Sequence, residues 1–379
     1  MSLVGAHRPI LSTSVSSLFG STHPLHTEFL QMVCPKNLRG FHKGARLIIF
    51  MWRKGWFTEA TVSLWERYRV ACLKHRWSTL IVCFTSHLQW QHAGEFPPRR
   101  QAMPDTDSVS DHYTHGSLVN AIRDGIQKLG KTIDNVDIHD LGPVDEFHIG
   151  GRIATGNFLD QLDIAPNHHV LDVGCGLGGG SRYAAQTYDC QVTGVDLTPE
   201  YVETGNILCS WVGLSEKVRL RVANATALPH ADESFDCVYM LHVGMNIADK
   251  KSLASELHRI IRPGGKIGIY DVMKIGDGEI AFPVPWASEP GGSSVASPST
   301  YKFELEEAGF CIVAERNRRD FALDFFAQLQ SKSASSEGPP ALGLHILMGN
   351  SAPIKVNNMI ENISRGLIAP VEIVAEKAI

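Results

Sequence analysis

The chain has 379 residues, 44% hydrophobic and 20% charged, with 34 Gly and 19 Pro. That composition excludes a collagen-like repeat and wholesale disorder, and the length suffices for a stable globular core. The net charge of −5 excludes nucleic-acid binding driven by overall positive charge.

The charge is unevenly spread. Residues 1–102 carry 13 Lys and Arg against 4 Asp and Glu, whereas residues 103–379 carry 22 against 36. Five of the seven Trp also lie in the first block. No helical or strand period is sustained there except over Phe57 to His75. Residues 1–102 are therefore read as a basic, Trp-rich extension, either poorly ordered or preceding the natural start at Met103. Residues 103–379 are read as one catalytic domain. The eight Cys form no CxxC pair, so neither a zinc site nor a disulfide framework is expected, and no metal ligands are assigned. A reducing, cytoplasmic location fits best. The first 27 residues lack acids but hold only Arg8 as a basic residue, a weak mitochondrial presequence. No apolar run approaches the roughly 18–20 residues that cross a bilayer, so stable membrane insertion is not expected.

In chain order, Leu118, Ile122, Ile126 and Leu129 fall at helical spacing and predict a helix ending near Gly130. A loop follows over Asp145 to Gly151, then a helix over 155–162. From His168 strands alternate with helices. Strands are predicted at 169–174, 190–195, 217–222, 235–241, 265–272 and 310–316, with helices at 178–187, 199–213, 249–262 and 299–308. This rhythm predicts a doubly wound parallel α/β sheet. Residues 274–300 hold four Pro, four Gly and five Ser; a loop that long in a compact domain is commonly functional. Residues 331–340 read as a linker, followed by a helix at 353–364 and a strand at 369–376.

The chemistry concentrates in Val170-Leu-Asp-Val-Gly-Cys-Gly-Leu-Gly-Gly-Gly180, a strand running into a glycine-rich turn and a helix. Gly174, Gly176 and Gly179 satisfy G-x-G-x-x-G, in which glycines allow a tight turn and close approach of a ligand. Asp196, at the end of the next strand, is placed to accept both hydroxyls of a ribose. Asp172 lies two residues before the first glycine; its carboxylate would repel a pyrophosphate and suits a positively charged amino-acid head. Asn224, after the third strand, can accept the amino group of adenine while the Ala225 N–H meets a ring nitrogen. Arg262-Pro-Gly-Gly265 reads as a tight turn before the fifth strand.

Together these motifs resemble the class I S-adenosylmethionine-dependent methyltransferases. They are most similar to the small-molecule type 11 group, which includes sarcosine and dimethylglycine N-methyltransferases and quinone C-methyltransferases. The resemblance covers about residues 108–379. The family's D-x-G-x-G-x-G stands as Asp172, Gly174, Gly176 and Gly178, and its strand-two acid as Asp196, followed by Leu197. Its Leu-Pro…Phe-Asp run stands as Leu228-Pro229…Phe235-Asp236, and its histidine after strand four as His242. One departure is Ala223-Asn224-Ala225 where the family has Gly-Asp-Ala, which removes a charge beside the adenine.

The resemblance implies a seven-stranded Rossmann-like sheet whose last strand is antiparallel, and S-adenosylmethionine as cofactor. It also implies in-line methyl transfer to a small-molecule acceptor. An amine is the leading acceptor; a ring carbon or hydroxyl of a quinone, sterol or phenol is the alternative. Candidate catalytic residues are His242, His148 and Tyr113, with His242 also touching the cofactor. Arg152 is expected beside the methionine end of the cofactor, Asp271 facing the pocket, and Phe282 and Trp286 in a lid formed by residues 274–300. Cys175 reads as a small buried hydrophobe. A nicotinamide-dependent oxidoreductase is the alternative from another class, with Asp172 and the Leu228–Asp236 run against it. A non-catalytic binding module, suggested by Asn224, is a third. Monomer and homodimer are both left open.

Overall fold

The computed structural model describes residues 46–48, 79–81, 117–334, 338 and 340–379. Two short strands, β1 (Arg46–Ile48) and β2 (Thr79–Ile81), pair in parallel. The expectations for the rest of residues 1–102, and for Tyr113, lie outside the described residues.

The second unit holds a seven-stranded sheet. Its strands are β3 (His169–Val173), β4 (Gln191–Asp196), β5 (Val218–Val222), β6 (Phe235–Leu241), β7 (Ile261–Lys274), β8 (Phe310–Asn317) and β9 (Ile368–Lys377). They lie in the order β5-β4-β3-β6-β7-β9-β8. β9 runs antiparallel to both of its neighbours, and the other pairings are parallel. The doubly wound, seven-stranded Rossmann-like sheet expected from the sequence is thus the fold.

Side chains alternate across the sheet as the pleat demands. Leu171, Val173, Val238, Met240, Ile267 and Ile269 enter a core with Leu253 and Leu257 of α6 (Lys250–Ile260) and Tyr301 and Leu305 of α7 (Pro298–Ala308). On the other face Val170, Val192, Cys237 and Tyr239 pack against α3 (Gly151–Leu159), α4 (Gly179–Tyr188) and α5 (Pro199–Trp211). Burial on both faces is why β9 reads as the near-continuous apolar run Ile-Ala-Pro-Val-Glu-Ile-Val-Ala. Above the carboxyl ends of the strands, α1 (Leu118–Lys128), α2 (Ile138–Asp145) and α9 (His345–Met348) share a third cluster with Leu177 and Leu208. A fourth cluster joins α8 (Arg319–Ala334), α10 (Ala352–Ser364) and residues of the segment 275–297.

Four local expectations are corrected. The helix expected at 155–162 is α3, which starts at Gly151 because Gly150 takes a left-handed φ of 93° and turns the chain into it. α2 was not among the predicted elements, and the loop expected from Asp145 begins at its last residue. The helix forms despite Gly142 and Pro143 because Asp137 caps the backbone N–H groups of His139 and Asp140. α8 continues to Ala334, into the expected linker. Arg262–Gly265 is no turn ahead of β7: the strand begins at Ile261, and the pairing with β6 skips from Ile261 to Lys266, so these residues form a bulge.

Candidate active site

The cleft opens beyond the carboxyl ends of β3, β4 and β6, the edge at which such sheets place ligands. One wall is the glycine loop. Gly174 has φ of 71°, and a Cβ there would lie 2.3 Å from Val243 Cγ2, so only glycine fits this turn. Gly176 has φ of 53° with nothing within 4 Å of an added Cβ; the space beside its backbone is open to a ligand. Gly178, at φ of 78°, is the N-cap of α4.

Asp196 fixes this wall. Its Oδ2 accepts from Gly176 N at 2.9 Å and its Oδ1 from Thr198 N at 2.9 Å. Asp196, Leu197 and Thr198 all line the cleft. Burial holds the Asp196 carboxyl above its usual range. Asp172 is buried at the root of the loop. Ser181 Oγ donates to its Oδ2 at 2.6 Å and Tyr239 OH at 3.0 Å. Burial outweighs these two bonds and pushes its carboxyl up to about 6. Asn224 and Ala225 line the far end. Asn224 Oδ1 accepts from both the backbone N and the hydroxyl of Thr226, each at 2.9 Å. The amide oxygen therefore shapes the local turn, as asparagines in turns do.

The opposite wall carries imidazoles. His242 sits at φ of 56°, with its backbone N donating to Tyr270 O at 2.7 Å. Its ring packs 4.9 Å from that of Tyr270 and 6.0 Å from that of His148. His242 Nε2 is buried with no hydrogen-bond partner. Burial, with His148 adding to it, drives His242 well below its ordinary value. His148 Nε2 lies 3.1 Å from Gly151 O and 3.0 Å from Thr155 Oγ, and burial lowers the ring to about 4. Both rings line the cleft and are neutral at pH 7. Cys175 lines it too, buried, with burial pushing its thiol well up; it carries no thiolate at neutral pH.

Four expected contributors stand elsewhere. Asp271 is fully buried beneath residues 244–246, accepting from Tyr301 OH at 2.5 Å, and does not border the cleft. Trp286 is buried in the fourth cluster, with its Nε1–H on Ser293 Oγ at 2.9 Å, and Phe282 packs against the same cluster; neither is a lid over the cleft. Arg152 turns away to Ile138 O at 3.0 Å and Glu146 Oε1 at 2.6 Å. Conversely, Phe147, Tyr201, Asn246 and Leu347 line the cleft without any sequence signal. Glu146, buried behind His148, also went unread; no short motif marks a carboxylate that works through tertiary contacts.

The residues fit a cofactor with a ribose and a cationic head: two carboxylates, an open glycine backbone and an amide at the far end line one trough. Comparison with known proteins agrees. Residues 171–269 match the family model described as a methyltransferase domain. The chain is 34% identical over 171 residues to phosphoethanolamine N-methyltransferase 1 of Triticum aestivum, covering 45% of this chain and 34% of that protein. It is 31% identical over 121 residues to a sterol 4-C-methyltransferase of Caenorhabditis elegans, covering 32% of this chain and 36% of that protein. This chain thus spans about a third of the length of these relatives. A solved phosphoethanolamine N-methyltransferase 2 of Haemonchus contortus shares the fold with a TM-score of 0.54 and 17% identity, covering 73% of this chain and 60% of that one. Residues 171–269 thus match a methyltransferase domain, and the strand order and the cleft at the carboxyl ends of the strands are those of that fold.

Proposed function

We propose that the chain transfers a methyl group from S-adenosylmethionine to a small-molecule acceptor, most readily an amine. The observation that carries this reading is the pair of carboxylates on the glycine wall, buried Asp172 and half-buried Asp196. Asp172 favours a cationic head, and Asp196, at the end of β4, suits a ribose. Asn224 and Ala225 border the adenine end. When bound, the cofactor supplies an electrophilic methyl on a sulfonium.

The protein's own contribution is placement. Proximity and alignment supply about 7–11 kcal/mol of a barrier, and a sulfonium loses its charge as the methyl leaves, which a weakly polar site favours. Phe147, Leu241, Ile247 and Leu347 provide apolar lining. His242 and His148 stay neutral, so they orient an acceptor without repelling a cation.

The apolar lining favours a second acceptor class, a quinone, sterol or phenol methylated at carbon or oxygen. Calorimetric titration with S-adenosylmethionine and with NADH, followed by transfer of a labelled methyl to an amine and hydroquinone panel, tests the reading. Binding of S-adenosylmethionine with label recovered in an acceptor is expected; tight NADH binding without any effect of S-adenosylmethionine overturns it. Saturated cofactor binding with no transfer to any acceptor would instead indicate a binding module. No described helix is long and apolar enough to cross a membrane.

A further inference from the structure

Behind the histidine wall lies a side-chain chain that the cofactor does not explain. Glu146 follows directly after α2 and is buried, with a side-chain exposure of 1%. Thr155, on α3 and fully buried, donates its hydroxyl to Glu146 Oε2 at 2.6 Å. The same hydroxyl oxygen lies 3.0 Å from His148 Nε2, and Glu146 Oε2 lies 3.4 Å from that nitrogen. Arg152 Nε, on the same helix as Thr155, stands 2.6 Å from the other carboxylate oxygen.

These contacts fix the histidine's proton. The Gly151 carbonyl, 3.1 Å from Nε2, can only accept, and the Thr155 hydroxyl has already committed its hydrogen to Glu146. Every neighbour of Nε2 therefore asks it to donate, and a neutral ring that carries hydrogen on Nε2 keeps a lone pair on Nδ1. The ring lines the cleft.

We propose that Glu146 and Thr155 are positioning residues that hold His148 as its Nε2–H tautomer, so that His148 Nδ1 receives the acceptor's proton and Glu146 takes up the Nε2 proton in turn. The tautomer stands by itself; the proton transfer rests on the methyl-transfer reading. In that step the acceptor's lone pair forms the new bond to the methyl carbon, and the electron pair of the broken carbon–sulfur bond remains on sulfur. The acceptor's proton goes to Nδ1 while the Nε2 proton passes through the Thr155 hydroxyl to the carboxylate. Charge balances: the sulfonium's positive charge ends as a proton on Glu146.

Glu146 suits this role. Burial and the neighbouring Asp145 raise its carboxyl, Arg152, Thr155 and the more distant Arg182 oppose them, and the balance is about 7. Such a group is ionised just above neutrality and accepts a proton at little cost. The groups facing it are Asp145 on α2, Arg152 and Thr155 on α3, Arg182 on α4 and His148 in the loop between α2 and α3.

Two measurements on the full chain test the proposal. In 15N-histidine NMR, wild-type His148 is expected as a single Nε2–H tautomer at pH 7, and Glu146→Gln and Thr155→Val are expected to mix the tautomers; Thr155→Ser retains the wild-type form. A wild-type Nδ1–H tautomer overturns the inference whether or not any acceptor turns over. In turnover with sarcosine and with trimethylhydroquinone as probes, kcat of the wild type should rise with pH through about 7. Glu146→Gln should lower kcat by about 100-fold and remove that limb, leaving the Kd for S-adenosylmethionine unchanged. An unaltered pH profile in Glu146→Gln overturns the relay. If the wild type methylates neither probe, the amine and hydroquinone reading fails while the tautomer measurement still decides the positioning role.

Discussion

Along the glycine wall Asp196 ties down Gly176 and Thr198 through backbone N–H groups, whereas along the histidine wall Glu146, Thr155 and His148 hold one another through side chains. Farther out, Trp286 and its neighbours bury apolar surface against α8 and α10 without meeting either wall. The first arrangement depends on local backbone conformation, the second on tertiary placement of a few polar atoms, and the third on shape. Cofactor affinity should therefore be separable from stability, and both from the handling of protons.

Trp286→Ala gives the largest expected effect. Removing a buried aromatic costs about 3–5 kcal/mol of stability, read by denaturant unfolding, while the Kd for S-adenosylmethionine should stay within about threefold. A large loss of affinity in the folded variant would break the separation. Asp172→Asn keeps an acceptor for Ser181 and Tyr239 but removes the charge. The Kd should rise about 100-fold, roughly 2.7 kcal/mol, by calorimetry, with a smaller change in unfolding midpoint.

Acidity offers a finer test. Asp172 titrates at about 6, above the ordinary carboxylate range, so the charged form that attracts a cationic head predominates only above that pH. Cofactor affinity should be flat near pH 7.5 and fall about tenfold per unit below pH 6. The sign for stability is the reverse: between about 4 and 6 the folded state binds the extra proton, so this group's contribution to stability decreases as pH rises through that window. In Asp172→Asn the acid limb of binding should vanish.

Asn224→Ala removes two acceptor contacts from the Thr226 turn. The Kd should rise about fivefold, near 1 kcal/mol. The smallest effect is expected on starting the chain at Met103: cofactor Kd unchanged, with failure to fold as the contrary outcome.

The legible parts of this molecule are those in which chemistry sits in consecutive residues. Asp172 to Gly178 spell out their turn because three left-handed glycines and a strand-end carboxylate have few other uses. The strands showed themselves through runs such as Val192 to Asp196, buried on alternate faces or on both. α2 stayed hidden because Gly142 and Pro143 argue against a helix that one capping aspartate secures. α8 was overlooked although Phe321, Ala322, Phe325, Phe326 and Leu329 recur at helical spacing. The Pro-rich segment suggested an exposed lid, yet Trp286 is buried with its indole N–H satisfied, a choice made by neighbours distant in sequence. His148 and His242 were legible as single residues; their 6.0 Å juxtaposition and the carboxylate behind one of them were not.

The position of β9 has a consequence for biosynthesis. β8 touches the sheet only through β9, which follows it in the chain and lies between it and β7. While the ribosome still holds residues 368–377, β7 presents an unpaired edge and β8 has no place to dock. The nascent chain then carries an exposed, strongly apolar strand edge of the kind that invites pairing with other chains. Completion of the sheet is therefore a late event, and chaperone binding is expected to concentrate on chains stalled between β7 and β9.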